Sequence, residues 1–253
     1  MQSTRLNRFD NRVSTYDAVT GQQRDIEKIL LSRLIPPTGR ILELGCGTGK
    51  GTLTIHDWAP QASIIAVDKA SEMIQFASTE HGSPAITYSE MDIDQALPEG
   101  EFDLIIANAT LQWVSGLDDL FKRCARQLTE TGRLAFTTYG PQTYIELQSI
   151  WKVFYPDTAF QSEQFPSPQA LQISLDQCFH EVELSQTIIT KVSPSLKALL
   201  TTIHLSGTNN PQPSIKGLWT PKQFKQIEAK YKERYGEIRS TSQICYGVAS
   251  CPR

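Results

Sequence analysis

No stretch of this chain approaches the roughly 20 consecutive apolar residues that a membrane-spanning helix requires. Its first residues, Met1-Gln2-Ser3-Thr4-Arg5, lack an apolar core and do not read as a signal peptide. There is no CxxC pair. The five cysteines (Cys46, Cys124, Cys178, Cys245, Cys251) are odd in number and scattered, which suggests neither a disulfide framework nor a zinc site. A reducing cytoplasm is the expected compartment. Histidine is scarce, and His56, His81, His180 and His204 show no metal-ligand spacing. No sign of charge dominates, and a formal net charge of −3 argues against a general nucleic-acid binder. What remains is ordinary globular composition, 40% hydrophobic and 20% charged. A length of 253 residues suits one large domain or a domain with a sizeable insertion.

Apolar residues at Ile26, Ile29, Leu30 and Leu34 predict a helix over 25–34, stopped by Pro36-Pro37. Short strands then alternate with helices. The strands are predicted at 40–44, 62–67, 85–90, 102–107 and 133–138, and the helices at 50–58, 71–80 and 117–128. Ser71 with Glu72 reads as a capped helix start, and Thr131-Gly132 as the turn between a helix and the next strand. This alternation predicts an α/β fold with a mostly parallel sheet covered on both faces. Beyond Gly140, helices are expected at 141–155, 168–177, 194–205 and 221–235, the last two with proline in the first turn. A loop is expected at 156–168, and strands at 180–190 and 239–249. The expected organisation is a helical cap over 1–35, a core over 36–140, and the rest of the sheet with helical lid insertions over 141–253.

Chemistry concentrates in Glu43-Leu44-Gly45-Cys46-Gly47-Thr48-Gly49, between a strand and a helix. Alternating glycines at such a turn let backbone pass close to a ligand, beside the free N–H groups of a helix start. The run resembles motif I of the class I S-adenosylmethionine methyltransferases, a Rossmann-like fold with a seven-stranded sheet. Its spacing departs from the dinucleotide GxGxxG, which disfavours a NAD-dependent oxidoreductase. The resemblance implies cofactor contacts from Glu43, Gly45, Cys46, Gly47 and Gly49. About 20 residues on, Asp68 ends the second strand, where a carboxylate can accept both ribose hydroxyls. Lys69 follows it. Met73 either covers one face of an adenine or packs as an ordinary helix residue. Asp92 can accept from an adenine amino group while the Ile93 amide donates to a ring nitrogen; Asp94 is the competing carboxylate. Asn108 ends the fourth strand at the sheet edge where ligands sit. Trp113 either flanks the sulfonium or belongs to the core.

Over nearly its whole length the chain is similar to the malonyl-acyl-carrier-protein O-methyltransferase family of biotin synthesis. The likeness rests on Arg8-Phe9, Tyr16-Asp17 and Gln22, on the glycine motif, and on Ala107-Asn108-Ala109-Thr110-Leu111-Gln112-Trp113. It ends with Phe136-Thr137-Thr138-Tyr139-Gly140-Pro141-Gln142-Thr143 and Glu146-Leu147. It implies a monomer that moves a methyl group from S-adenosyl-L-methionine to the free carboxyl of a malonyl thioester. The thioester would be malonyl-acyl carrier protein or malonyl-CoA, and the by-product S-adenosyl-L-homocysteine. A carboxylic acid is ionised at neutral pH, so no general base is required. Tyr16 and His204 are the candidates for holding the acceptor carboxylate. The family often has a long cation at the place of His204, and Tyr-His where this chain has Ser242-Gln243. Residues 216–234 hold six basic side chains against two acidic ones, either a docking surface for an acidic carrier or a solvated helix face. Two other readings stay open: a methyltransferase for a small free acid such as trans-aconitate, and a non-catalytic partner protein of the same fold.

Overall fold

A computed structural model describes residues 21–157, 159–205 and 220–253. Helix α1 (Gly21–Leu31) comes first. Strands β1 (Arg40–Leu44), β2 (Ser63–Asp68) and β3 (Ile86–Glu90) follow, separated by helices α2 (Lys50–Trp58) and α3 (Ser71–His81). Then come β4 (Phe102–Asn108), a short 3-10 turn at Leu111–Trp113, α4 (Leu117–Gln127) and β5 (Leu128–Tyr139). The C-terminal part holds α5 (Ile145–Phe154), a 3-10 turn at Gln161–Gln164, α6 (Pro168–Asp176) and β6 (Phe179–Ser193). Helices α7 (Leu196–Leu205) and α8 (Pro221–Tyr235) and strand β7 (Ile238–Pro252) complete the order.

The strands form one seven-stranded sheet in the order β3-β2-β1-β4-β5-β7-β6. The pairings from β3 across to β5 are parallel, so the sheet is mostly parallel. Its central strands are largely apolar and buried: Ile41 to Leu44 and Leu104 to Ala107 are all inside, with Glu43 the one acid among them. Such runs suit strands covered on both faces. The strand order reverses direction between β1 and β4, and in open α/β sheets the crevice at such a switch point takes the ligand.

The chain divides into two compact units. One comprises Gln22–Thr138, Ser167–Gln186 and Cys245–Arg253. Its core joins Leu42, Leu44, Phe102, Ile105 and Phe136 of the sheet to Leu120, Phe121 and Cys124 of α4. The buried α4 residues Leu120, Phe121, Cys124 and Ala125 recur at helical spacing, and Asp118 and Asp119 in its first turn favour the helix dipole. The other unit takes its described residues from Tyr139–Pro166 and Thr187–Ile244, with Gly21. It packs Leu147 and Ile150 of α5, Leu199 and Ile203 of α7, and Ile227 and Tyr231 of α8 around one another. There the Glu146 carboxylate, 5% exposed, accepts from the Thr241 amide (2.9 Å) and hydroxyl (2.7 Å). Gln243 accepts from the Gln142 amide at 2.9 Å and offers its carbonyl to Gly140.

Four local expectations are corrected. The face of α1 is turned: Ile26, Glu27, Leu30 and Leu31 are buried, while Ile29 is 44% exposed. Ser71 is the first helical residue of α3 and Ala70 the cap, with no side-chain capping bond; the Ala70 amide is satisfied by Asp68 instead. Strand pairing resumes at Leu128, and Thr131-Gly132 sits in a register shift inside β5 rather than in a turn before it. Pro194 precedes α7, whose first turn is closed by Ser195 accepting from the Ala198 amide at 3.1 Å.

Candidate active site

The sheet register gathers the predicted residues along one edge. Leu44 pairs with Val67 on one side and Ala107 on the other, so Gly45, Asp68 and Asn108 leave neighbouring strands at the same level. Asp68 pairs with Glu90, and Asp92 follows two residues later. Asp92, Asp68, Gly45 and Asn108 therefore stand in the spatial order β3, β2, β1, β4 at the carboxyl ends of the strands. An extended ligand laid across that edge meets them in turn.

The glycine turn is built by left-handed backbone, with φ of 75° at Gly45, 54° at Gly47 and 81° at Gly49. Side chains rarely adopt that conformation. Space is short as well: a Cβ on Gly45 would stand 2.4 Å from the Thr110 hydroxyl, and one on Gly49 2.9 Å from Ala77 and Tyr88. The amides of Gly45 and Cys46 both donate to Val67 O, at 2.7 and 3.0 Å, which carries the β1–β2 pairing into the turn. Asp68 then ties the turn to the end of β2. Its Oδ2 accepts from the Gly47 amide at 3.0 Å and its Oδ1 from the Ala70 amide at 2.9 Å. A carboxylate has about four lone-pair sites, so each oxygen keeps capacity for a ribose hydroxyl. Cys46 is buried, and burial, then Glu43, then Asp68 push its thiol up, so it stays protonated at neutral pH.

Glu43 is 4% exposed and accepts from the Thr52 hydroxyl at 2.6 Å, fixing it beneath the first turn of α2. Burial first, and Glu27 second, push its carboxyl up to about 8. Lys69 is exposed and Met73 half-buried at the start of α3. Asp92 forms a compact turn, its Oδ1 accepting from the Asp94 amide at 3.1 Å and its Oδ2 from Gln95 at 3.2 Å. Asp94 works elsewhere, since its carboxylate accepts from the Ser115 amide at 3.0 Å and steadies the segment after Trp113. Ile93 packs against the core, and its carbonyl accepts from Arg123 at 2.7 Å. The Asn108 amide donates to the Gln23 carbonyl of α1 at 3.0 Å and accepts from the Thr137 hydroxyl, which braces α1 against the end of β4. Trp113 is half-buried. Tyr16 lies outside the described residues, and His204 is on the exposed side of α7.

Two features escaped the sequence reading. Ala109 adopts φ 51°, with its amide donating to the Thr137 carbonyl and hydroxyl at 3.0 Å each and its carbonyl accepting from Gln112 at 2.6 Å. Left-handed alanine is uncommon and is characteristic of functional sites, but nothing in an alanine codes for it. Glu27 is the second, a buried acid on a helix that reads as having a solvated polar face.

The site fits S-adenosylmethionine. The acids at the ends of β2 and β3 suit ribose and adenine, and the glycine turn at β1 leaves room for a tail that a side chain would fill. The chain matches the methyltransferase domain family over residues 42–136. A solved structure of Haemonchus contortus phosphoethanolamine N-methyltransferase 2, in complex with phosphomonomethylethanolamine and S-adenosylhomocysteine, shares the fold at a TM-score of 0.60 and 15% identity. The likeness covers 94% of this chain and 57% of that one. Fold and site together define a class I S-adenosylmethionine-dependent methyltransferase. Among curated proteins, the malonyl-[acyl-carrier protein] O-methyltransferase of Anoxybacillus flavithermus is 31% identical over 92% of both chains. That of Priestia megaterium is 32% identical over 80% of both. The chain belongs to the malonyl-[acyl-carrier protein] O-methyltransferase family.

Proposed function

We propose that the protein methylates the free carboxyl of a malonyl group carried as a thioester on acyl carrier protein, at the start of biotin synthesis in the cytoplasm. The likeness to enzymes of that name along nearly the whole chain carries this reading. The intact cofactor edge supports catalysis over a non-catalytic partner role.

Bound S-adenosylmethionine supplies an electrophilic methyl group on a sulfonium sulfur. An acceptor carboxylate is already ionised at neutral pH, so no residue has to remove a proton. The chain's contribution is orientation, which can lower a barrier by about 7–11 kcal/mol where the geometry is well set. The glycine turn, Asp68 and Asp92 would fix the donor, and Asn108 braces α1 over the end of β4. Cys46, held as a thiol, offers no covalent route. Tyr16 and His204 are proposed to hold the acceptor carboxylate, on their place in the sequence. The chain would act as a monomer, and a carrier protein would dock on the basic helix α8.

Labelled S-adenosylmethionine, offered with malonyl-carrier protein, malonyl-CoA, free malonate and trans-aconitate side by side, tests the reading. Label on malonyl-carrier protein is expected. Transfer to malonyl-CoA alone would move the thioester to coenzyme A, and transfer to the free acids alone would overturn the proposal.

A further inference from the structure

Glu27 is only 1% exposed, yet among the described residues neither of its carboxyl oxygens has a hydrogen-bond partner. A buried carboxyl left unpaired is costly, and such groups in native proteins usually answer to a ligand or a switch. Its surroundings point to a ligand. A Cβ on Gly51 would stand 2.7 Å from Glu27 Oε1 and 3.3 Å from Glu43 Oε1. Both carboxyls thus converge over the backbone of Gly51, at the first turn of α2, an approach that a side chain at residue 51 would block. The pair adjoins the glycine turn through Glu43, two residues before Gly45, and Asn108 fastens α1 one helical turn before Glu27 through the Gln23 carbonyl. Thr52 occupies one oxygen of Glu43 and none of Glu27.

We propose that Glu27 is a second carboxylate, beside Glu43, in the subsite that takes the cofactor's α-ammonium group. The ligand class is a primary ammonium cation on an amino-acid tail, which two acids can neutralise where one leaves Glu27 unpaired. The inference rests on the cofactor and not on the identity of the acceptor. Two buried like charges cannot both ionise without a cation. Burial pushes Glu27 up to about 7, lowered only by Lys28, and Glu43 up to about 8. The other ionisable groups near the pair are Asp68 on β2, Cys46 in the turn and Tyr88 on β3. Without cofactor the pair holds a proton at neutral pH. Arrival of the ammonium group releases that proton to solvent and leaves the carboxylates ionised. Affinity for the amino-acid tail should therefore rise as pH rises from about 6 to about 8.

The test is calorimetric binding of S-adenosylhomocysteine in buffers of different ionisation enthalpy, beside 5′-methylthioadenosine, which lacks the amino-acid tail. The wild type should release a proton with the first ligand at pH 7 and none with the second. Glu27→Gln should bind S-adenosylhomocysteine about tenfold or more weakly, release fewer protons, and bind methylthioadenosine as the wild type does. Unchanged S-adenosylhomocysteine affinity in Glu27→Gln would overturn the proposal, as would equal loss of both ligands, which marks general damage. Wild type that binds methylthioadenosine but shows no proton release with S-adenosylhomocysteine would also overturn it. A wild type that binds neither ligand would fail the cofactor reading itself, and this inference with it.

Discussion

Asp68 accepts from the Gly47 and Ala70 amides, so its loss loosens the glycine turn as well as removing the ribose contact proposed for it. Asp68→Ala should weaken S-adenosylhomocysteine binding by about 2–4 kcal/mol, measured by calorimetry, since hydrogen bonds to a charged group contribute about 1.5–3 kcal/mol each. Asp68→Asn, which keeps an acceptor oxygen, should lose less. Glu27 gives a second prediction, on stability. Its carboxyl stays protonated up to about 7 in the folded chain, against an ordinary 4.5. Unfolding lets it ionise above that ordinary value. The stability it lends is complete below about pH 4.5, falls as pH rises, and is gone above about pH 7. In the cofactor-free protein, Glu27→Gln should gain in Tm over the wild type as pH goes from 5 to 8, read by scanning calorimetry. A Tm difference that stays flat would show that Glu27 is not held protonated. The glycines and Asp68 were legible in the sequence because each has a local requirement: positive φ in the turn, and a fixed distance to the end of the second strand. Glu27 was not, because an acid one residue from Ile26 reads as solvated until the helix face is seen. Ile29 and Glu27 exchange the places that their chemistry suggests.

Helix α8 shows how a short pattern sets an element. Thr220 caps it, accepting from the Gln223 amide at 3.2 Å, while the Gln223 side chain returns to the Thr220 amide at 2.9 Å. Thr220→Ala should cost about 1 kcal/mol in urea unfolding, and an unchanged midpoint would show that the cap is idle. Proline at the first turn made the start of this helix readable, and the structure buries Ile227 and Tyr231, one turn apart, on its inner face. Charges on α8 are partly spent on one another, Lys232 on Glu228 at 2.7 Å and Lys230 on Glu233 at 3.0 Å. Lys222 and Lys225 lie exposed on its first half. If they meet an acidic carrier, reversing both to Glu should raise KM for malonyl-carrier protein several-fold and leave malonyl-CoA unaffected. Equal KM for the carrier would leave the helix as a solvated face. The start of β5 was misread for a physical reason. Thr131-Gly132 has the composition of a turn, but Gly132 serves a close backbone approach, where a Cβ would stand 2.7 Å from Phe102 O. That approach depends on a neighbouring strand, which local sequence does not carry.

Across the whole molecule, the strand order places four separated sequence motifs along a single edge, and that edge is what the cofactor requires. The alternation of apolar strands and helices was enough to expect the parallel sheet, because each strand carries its own burial pattern. The acceptor is different in kind, since the residues proposed to hold it, Tyr16 and His204, stand far apart in the sequence and belong to no local motif. The central claim is therefore about the acceptor, and it is tested on the product. Malonyl-carrier protein incubated with S-adenosylmethionine and the purified protein should gain the mass of a single added methyl group by intact-mass spectrometry. Mild esterase treatment should remove that mass while the thioester stays intact. Carrier recovered with no mass gain, from an enzyme preparation that methylates trans-aconitate under the same conditions, would contradict the account.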